Sequence, residues 1–221
     1  ALGISVGAWT AAECSAGGLS VAAPPLSIPR VGFVVEGGHA TLPPVLGEPA
    51  EGTPPDANFA TFIQTPLRLG WEVEVVPRLP ESLHHLDVLV LLNPDVEMGQ
   101  AEAPPGWIEA IRAWVEHGGR LVVLSRHAHL SHPHDRAPLY TAGWAFEGVS
   151  GPTLDLNLAV ASPGSGRVVR VIGAEAFDVD HLGHCMQFPG RNERLHYEAA
   201  YFIFRDLLGL AAPERRTWSP R

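Results

Sequence analysis

Four histidines are concentrated within one short stretch of the sequence, at positions His127, His129, His132 and His134. Imidazole binds divalent transition metals and transfers protons near neutral pH. The spacing matches no standard zinc motif, but alternate residues of an extended segment project to the same side and can share an ion. The stretch therefore predicts either a metal site or a polar surface loop whose turns are set by Ser131 and Pro133.

A buried strand must position this stretch. Residues 121–125 are apolar or small, and they follow Gly118 and Gly119 at the end of a predicted helix. This pattern is typical of a strand that is covered on both faces. In open α/β sheets, ligands bind just beyond the carboxyl ends of such strands. The four histidines lie just beyond such a strand, where this rule predicts a ligand-binding site.

Titratable side chains also follow three other predicted strands, near residues 31–36, 87–92 and 167–172: His39, then Asp95, then Asp180, His181 and His184. If these strands are parallel, their carboxyl ends open on one edge of the sheet, where distant side chains can meet. We therefore expect a shared site for a divalent transition metal, with zinc as the first candidate. Its predicted ligands are His39, His127, His129, Asp180 and His181.

Glu36 and His134 are the predicted proton-transfer groups beside this metal. An ion with an open position lowers the pKa of a bound water or polarises a carbonyl, which predicts a metal-dependent enzyme with hydrolysis as its reaction class. The alternative is a non-catalytic ligand-binding or assembly module. In that case the histidines bind a ligand or a structural metal, or have no special role.

Strand and helix patterns alternate along the chain. Strands are predicted near residues 31–36, 71–76, 87–92, 120–125 and 167–172, with helices near 57–69, 104–117 and 192–208 between or after them. This alternation predicts a mainly parallel sheet with right-handed crossovers and helices on both faces. Two further strands are expected, a short one at 144–149 and an edge or antiparallel one at 153–160.

Several segments of the sequence, in their order along the chain, resemble the class I glutamine amidotransferase-like superfamily. They are residues 34–39, 69–73, 86–94, 114–124 and 166–173. The resemblance covers residues 30–210 and implies a flavodoxin-like three-layer sandwich. Many members are binding or assembly domains in bacterial envelope proteins and transport machinery. Catalytic relatives carry a cysteine after the strand equivalent to 121–124, whereas this chain has Ser125, Arg126 and His127 without flanking glycines. The resemblance therefore implies a branch that does not hydrolyse glutamine.

Composition limits the partners. The net charge is −9 and all 15 basic residues are arginine, which argues against nucleic acid or an anionic membrane. No apolar stretch is long enough to span a bilayer. The expected partners are a small-molecule substrate or ligand and, in addition, a second copy of the chain or a partner subunit.

Residues 1–29 contain one charged side chain, Glu13, and several prolines, which predicts an extended arm along the body formed by residues 30–210. Residues 211–221 are expected to form a C-terminal tail. The arm lacks the basic start of an intact signal peptide, so the protein is expected either in the cytoplasm or exported with its signal removed. A disulfide between Cys14 and Cys185 is possible only in the exported case.

Overall fold

The structure is a computed structural model that describes residues 28–34, 59–76, 82–92, 106–125, 144–151, 154, 156–183 and 189–210. Its strands are β1 Arg30–Val34, β2 Glu72–Val76, β3 Val88–Leu92, β4 Arg120–Ser125, β5 Glu147–Val149, β6 Asn157–Ala161 and β7 Arg167–Ile172. Its α-helices are α1 Ala60–Arg68, α2 Trp107–Glu116, α3 Val179–Leu182 and α4 Arg191–Tyr201. A 3-10 turn, Ala174–Phe177, precedes α3, and α4 continues into a π-helical turn, Phe202–Leu207.

The described strands form one seven-stranded, mainly parallel sheet in the order β2-β1-β3-β4-β7-β6-β5. The five strands predicted to be parallel are parallel, so this part of the prediction is confirmed. The predicted edge or antiparallel strand is β6, which pairs antiparallel with both β7 and β5. It is therefore an inner strand, and the short β5 forms the edge.

Alternate residues of the central strand β4 pack into two separate hydrophobic clusters. Val122 and Leu124 pack with apolar residues of α1, α4 and the π-helical turn. Leu121 and Val123 pack with apolar residues of α2. Because successive side chains of a strand point to opposite faces, the central strands carry the continuous apolar run that their sequences predict.

The pairing of β4 with β7 determines where the candidate site lies. The two strands are parallel over six residues, and the last pair joins Ser125 to Ile172. The 3-10 turn and α3 follow Ile172 directly, so they begin at the edge of the sheet where β4 also ends. This is the carboxyl edge, at which the sequence predicts function.

Some predictions fall outside the described residues. They are the extended course of the arm up to residue 27, the C-terminal tail at 211–221 and the disulfide between Cys14 and Cys185. Among the helices that the structure describes, none is long and apolar enough to cross a membrane.

Gly166, just before β7, provides a test of this packing. A Cβ atom there would lie 2.6 Å from Gly119 O and closer still to Val115 O, and both are backbone atoms that cannot move aside cheaply. We expect Gly166→Ala to lower the free energy of unfolding by about 3 kcal/mol, as measured by urea denaturation.

Gly148 in β5 is the matched control, because a Cβ there would meet no atom within 4 Å. Gly148→Ala should change the free energy of unfolding by less than about 0.5 kcal/mol. Equal stability of the two variants would contradict the close approach of α2 to the start of β7.

Candidate functional site

Asp178 is the residue around which the carboxyl-edge site is built. It follows the 3-10 turn in an extended conformation and caps the N-terminus of α3, where its Oδ1 accepts a hydrogen bond from the amide of His181 at 3.1 Å. Short acidic side chains are favoured at this position because they satisfy an amide that the first helical turn leaves unpaired. Its side chain is only 3% exposed, so this carboxylate is held almost entirely by the protein.

The same carboxylate oxygen also accepts a hydrogen bond from Nδ1 of the His181 ring at 2.8 Å. Because an ionised carboxylate is only an acceptor, this contact places the ring proton of neutral His181 on Nδ1. Its Nε2 then carries a free lone pair. The His181 side chain is 44% exposed, so the ring is accessible from outside the protein core.

A second imidazole, that of His196 in α4, lies beside the first. The two ring centres are 5.1 Å apart and the rings are inclined by 49°. Nδ1 of His196 donates to the carbonyl oxygen of Ala176 at 2.7 Å, which again leaves Nε2 without a proton when the ring is neutral. The position of His196 in the final helix predicts a solvent-facing ring, but the ring is partly buried and hydrogen-bonded.

The pKa of His196 is lowered from its ordinary value of 6.5, chiefly because burial disfavours the charged ring. The hydrogen bond to Ala176 opposes this shift, the nearby ring of His181 adds to it, and the charge of Asp178 opposes it. The net effect favours the neutral form of His196, which is the form that binds a metal or accepts a proton.

Hydrogen bonds between side chains and the backbone stabilise α3 and α4 near these rings. The buried hydroxyl of Thr61 in α1 donates to the carbonyl oxygen of Gly183, directly after α3, at 2.7 Å. At the start of α4, the carboxylate of Glu193 accepts a hydrogen bond from the amide of Gly190. The first contact ties the end of α3 to α1, whereas the second stabilises the N-terminus of α4 itself.

The structure describes two of the seven side chains predicted for the site. His181 lies in the cluster with Asp178, while Asp180 is exposed and, one residue earlier in the helix, projects about 100° away from it. The predicted ligands His39, His127 and His129 and the predicted proton-transfer groups Glu36 and His134 lie outside the described residues. Within the described ranges, no group of three or more His, Cys, Asp or Glu side chains is arranged to hold a metal ion.

The sequence analysis missed Asp178 and His196. Asp178 had a local signal, because an aspartate three residues before a histidine at the start of a short helix can bond both the amide and the ring. His196 had no local signal. Its contact with Ala176 spans 20 residues of chain and depends on how α4 docks.

A cavity of about 590 Å³ lies at the opposite edge of the sheet, near the start of β3 and β4. It is lined by Ser82, Leu83, His84, Leu86, Asp87, Ala110, Ala113, Trp114, His117, Gly118 and Gly119. His84 is exposed, and the ring of His117 bonds the carbonyl oxygen of Ala113 within its own helix at 2.6 Å. Since parallel sheets bind ligands at their carboxyl edge, the Asp178–His181–His196 cluster is the stronger candidate.

The lowered pKa of His196 predicts how stability changes with pH. Between the folded pKa and 6.5, the unfolded chain binds a proton that the folded protein does not, so the free energy of unfolding falls as pH decreases through this range. His196→Asn lacks this group and should lose less stability over the same range. Urea denaturation at several pH values tests this, with NMR titration of the ring protons giving the pKa directly. A His196 pKa above 6.5 would contradict the prediction.

Comparison with known proteins identifies no family. No family model matches the chain, and no curated protein matches it. Among the solved structures that match is the exo-β-1,4-mannosidase Op5Man5 from Opitutaceae bacterium strain TAV5, with 12% sequence identity and a TM-score of 0.45. The match covers 80% of this chain and 36% of the mannosidase chain, so the chain spans about a third of that protein. This likeness is too weak to carry an argument about activity.

Proposed function

We propose that this protein is a metal-dependent enzyme, with hydrolysis as its reaction class and its site at the carboxyl edge of the parallel strands. The observation that supports this most directly is the pairing of His181 with the buried Asp178. Metal-binding histidines usually donate their second ring N–H to a carboxylate or a backbone carbonyl, which fixes the tautomer and the ring orientation. His181 has such a partner in Asp178.

The remaining ligands are proposed to come from the chain that follows β1 and β4, at His39, His127 and His129, with Asp180 as a carboxylate donor. The β4–β7 register supports this, since Ser125 pairs with Ile172 at the edge from which the 3-10 turn and α3 start. His127 is two residues after Ser125, and covalent geometry limits the distance between their Cα atoms to about 7 Å. Zinc is the first candidate among the divalent transition metals, because imidazole nitrogen is one of its usual protein ligands.

Such an ion would lower the pKa of a bound water or polarise a substrate carbonyl. The proposed proton-transfer groups are Glu36 and His134. Glu36 is two residues after β1, and β1 lies two strands from β4, about 10 Å across the sheet. Asp178 has a positioning role, because its contact with His181 leaves Nε2 of that ring unprotonated.

We further propose a flavodoxin-like three-layer sandwich of the class I glutamine amidotransferase-like superfamily, in a branch without the nucleophile. The two hydrophobic clusters on alternate residues of β4 support the three layers. The resembling segments include β3, most of β4 and β7, which are parallel to one another. The residue types of these segments and the order of the strands in the sheet support the family.

The alternative function is a non-catalytic ligand-binding or assembly module. The residue at the end of β4 favours it, because Ser125 stands where catalytic relatives of the proposed family carry cysteine. In this case a second copy of the chain or a partner subunit would be the expected partner, and the protein would contain no stoichiometric transition metal. Elemental analysis of untagged protein, combined with sedimentation, separates the two functions.

Replacing His127 and His129 together by alanine should abolish stoichiometric metal binding, because both proposed ligands that follow β4 are lost. The strand β4 is buried and should keep the fold intact. Metal content measured by mass spectrometry tests this, with circular dichroism to confirm folding. His84→Ala and His117→Ala are controls at the opposite edge and should retain the metal. Full stoichiometry in the double variant would place the site elsewhere.

Asp178→Asn tests the positioning role. Asparagine retains an acceptor for the His181 amide but removes the negative charge that favours the Nδ1–H tautomer. We expect metal affinity to fall about 10–100-fold, as for other changes to groups that orient a metal-bound histidine. Competition with a chelator measures this affinity, and an unchanged value would remove Asp178 from the site.

A further inference from the structure

We infer that His196 is a metal ligand and that it forms, with His181, a two-histidine half of the metal site. This inference rests on the proposed function and changes its ligand set, which did not include His196. It is based on two observations: the hydrogen bonds of the two rings and the distance between their centres.

Both rings donate a hydrogen bond from Nδ1. His181 donates from Nδ1 to the carboxylate of Asp178 at 2.8 Å, and His196 donates from Nδ1 to the carbonyl of Ala176 at 2.7 Å. Each acceptor is of the kind that orients metal-bound histidine in proteins. Two neighbouring imidazoles, when neutral, therefore both present an unprotonated Nε2.

The distance between the rings fits a shared tetrahedral ion. With zinc–nitrogen bonds of about 2.0–2.1 Å and tetrahedral angles, two imidazoles on one zinc ion have ring centres about 5.2 Å apart. The observed separation of His181 and His196 is 5.1 Å. The two helices thus bring the rings to the spacing that a common ion requires.

Neutral imidazole is the form of histidine that binds a metal, and the two rings offer one nitrogen donor each. Two imidazole donors select Zn²⁺, Co²⁺ or Ni²⁺ over Mg²⁺ and Ca²⁺, which prefer oxygen ligands. The inference therefore specifies a transition metal for the proposed site.

His196→Asn provides the sharpest test of this inference. The side-chain amide of asparagine can take the place of Nδ1 and donate to Ala176, but it has no counterpart of Nε2. His181→Asn makes the equivalent change beside Asp178, and His84→Asn is the control at the opposite edge. The full chain is titrated with Zn²⁺ and with Co²⁺, by chelator competition and by the visible absorption of bound Co²⁺.

Changing a residue that only orients a metal ligand lowers metal affinity about 10–100-fold. We expect His196→Asn and His181→Asn each to weaken Zn²⁺ binding by more than this and to alter the Co²⁺ spectrum. His84→Asn should bind as the unsubstituted protein does. Normal Zn²⁺ binding in His196→Asn together with weak binding in His181→Asn would overturn the role of His196 and leave the proposed function standing. No binding of either ion by the unsubstituted protein would overturn both.

A second measurement does not depend on any variant folding. Nitrogen-15 NMR of the unsubstituted protein reports each imidazole nitrogen, and metal binding shifts the nitrogen that coordinates. Addition of Zn²⁺ should shift Nε2 of His196 and Nε2 of His181 together, with Nδ1 of both rings remaining protonated. A shift at His181 without one at His196 would overturn the inference.

Discussion

The parallel pairing of β4 with β7 is the constraint on which the rest of the structure depends. It joins residues 120–125 to residues 167–172, which are far apart in the chain, and ends both strands at one edge of the sheet. Both strands are buried at their centres, so the register is held by packing as well as by hydrogen bonds. The turn that contains Asp178 starts from this edge, and its position follows from that pairing.

Asp178 links stability to the chemistry of the site. A buried carboxylate is costly unless it is hydrogen-bonded, and here both donors come from His181, the backbone amide and the ring. The contacts that stabilise the start of α3 therefore also determine which nitrogen of the His181 ring is free. The carbonyl of Ala176 does the same for His196, and the two oriented rings lie side by side.

The histidines at the two edges of the sheet differ in their contacts. At the amino edge, the ring of His117 bonds within its own helix, and His85 pairs with Glu74 of β2 on the exposed surface. At the carboxyl edge, the rings of His181 and His196 belong to different helices, and α1 is tied to the end of α3 through Thr61. The carboxyl edge therefore brings side chains of separate elements together, as a site built by tertiary packing requires.

The fold was largely predictable from the sequence because it depends on local patterns. Runs such as residues 88–92 and 121–124 are apolar throughout, which predicts strands covered on both faces, and their alternation with helices predicts parallel pairing. The location of His181 beyond β7 followed from the same patterns. The partners of His181 did not. His196 reaches Ala176 only when α4 docks against the 3-10 turn, and that docking brings together residues distant in the chain. The sequence by itself thus determined the strands, their direction and the sheet edge at which His181 lies, whereas tertiary packing decided which side chains that ring meets and which of its nitrogens carries the proton.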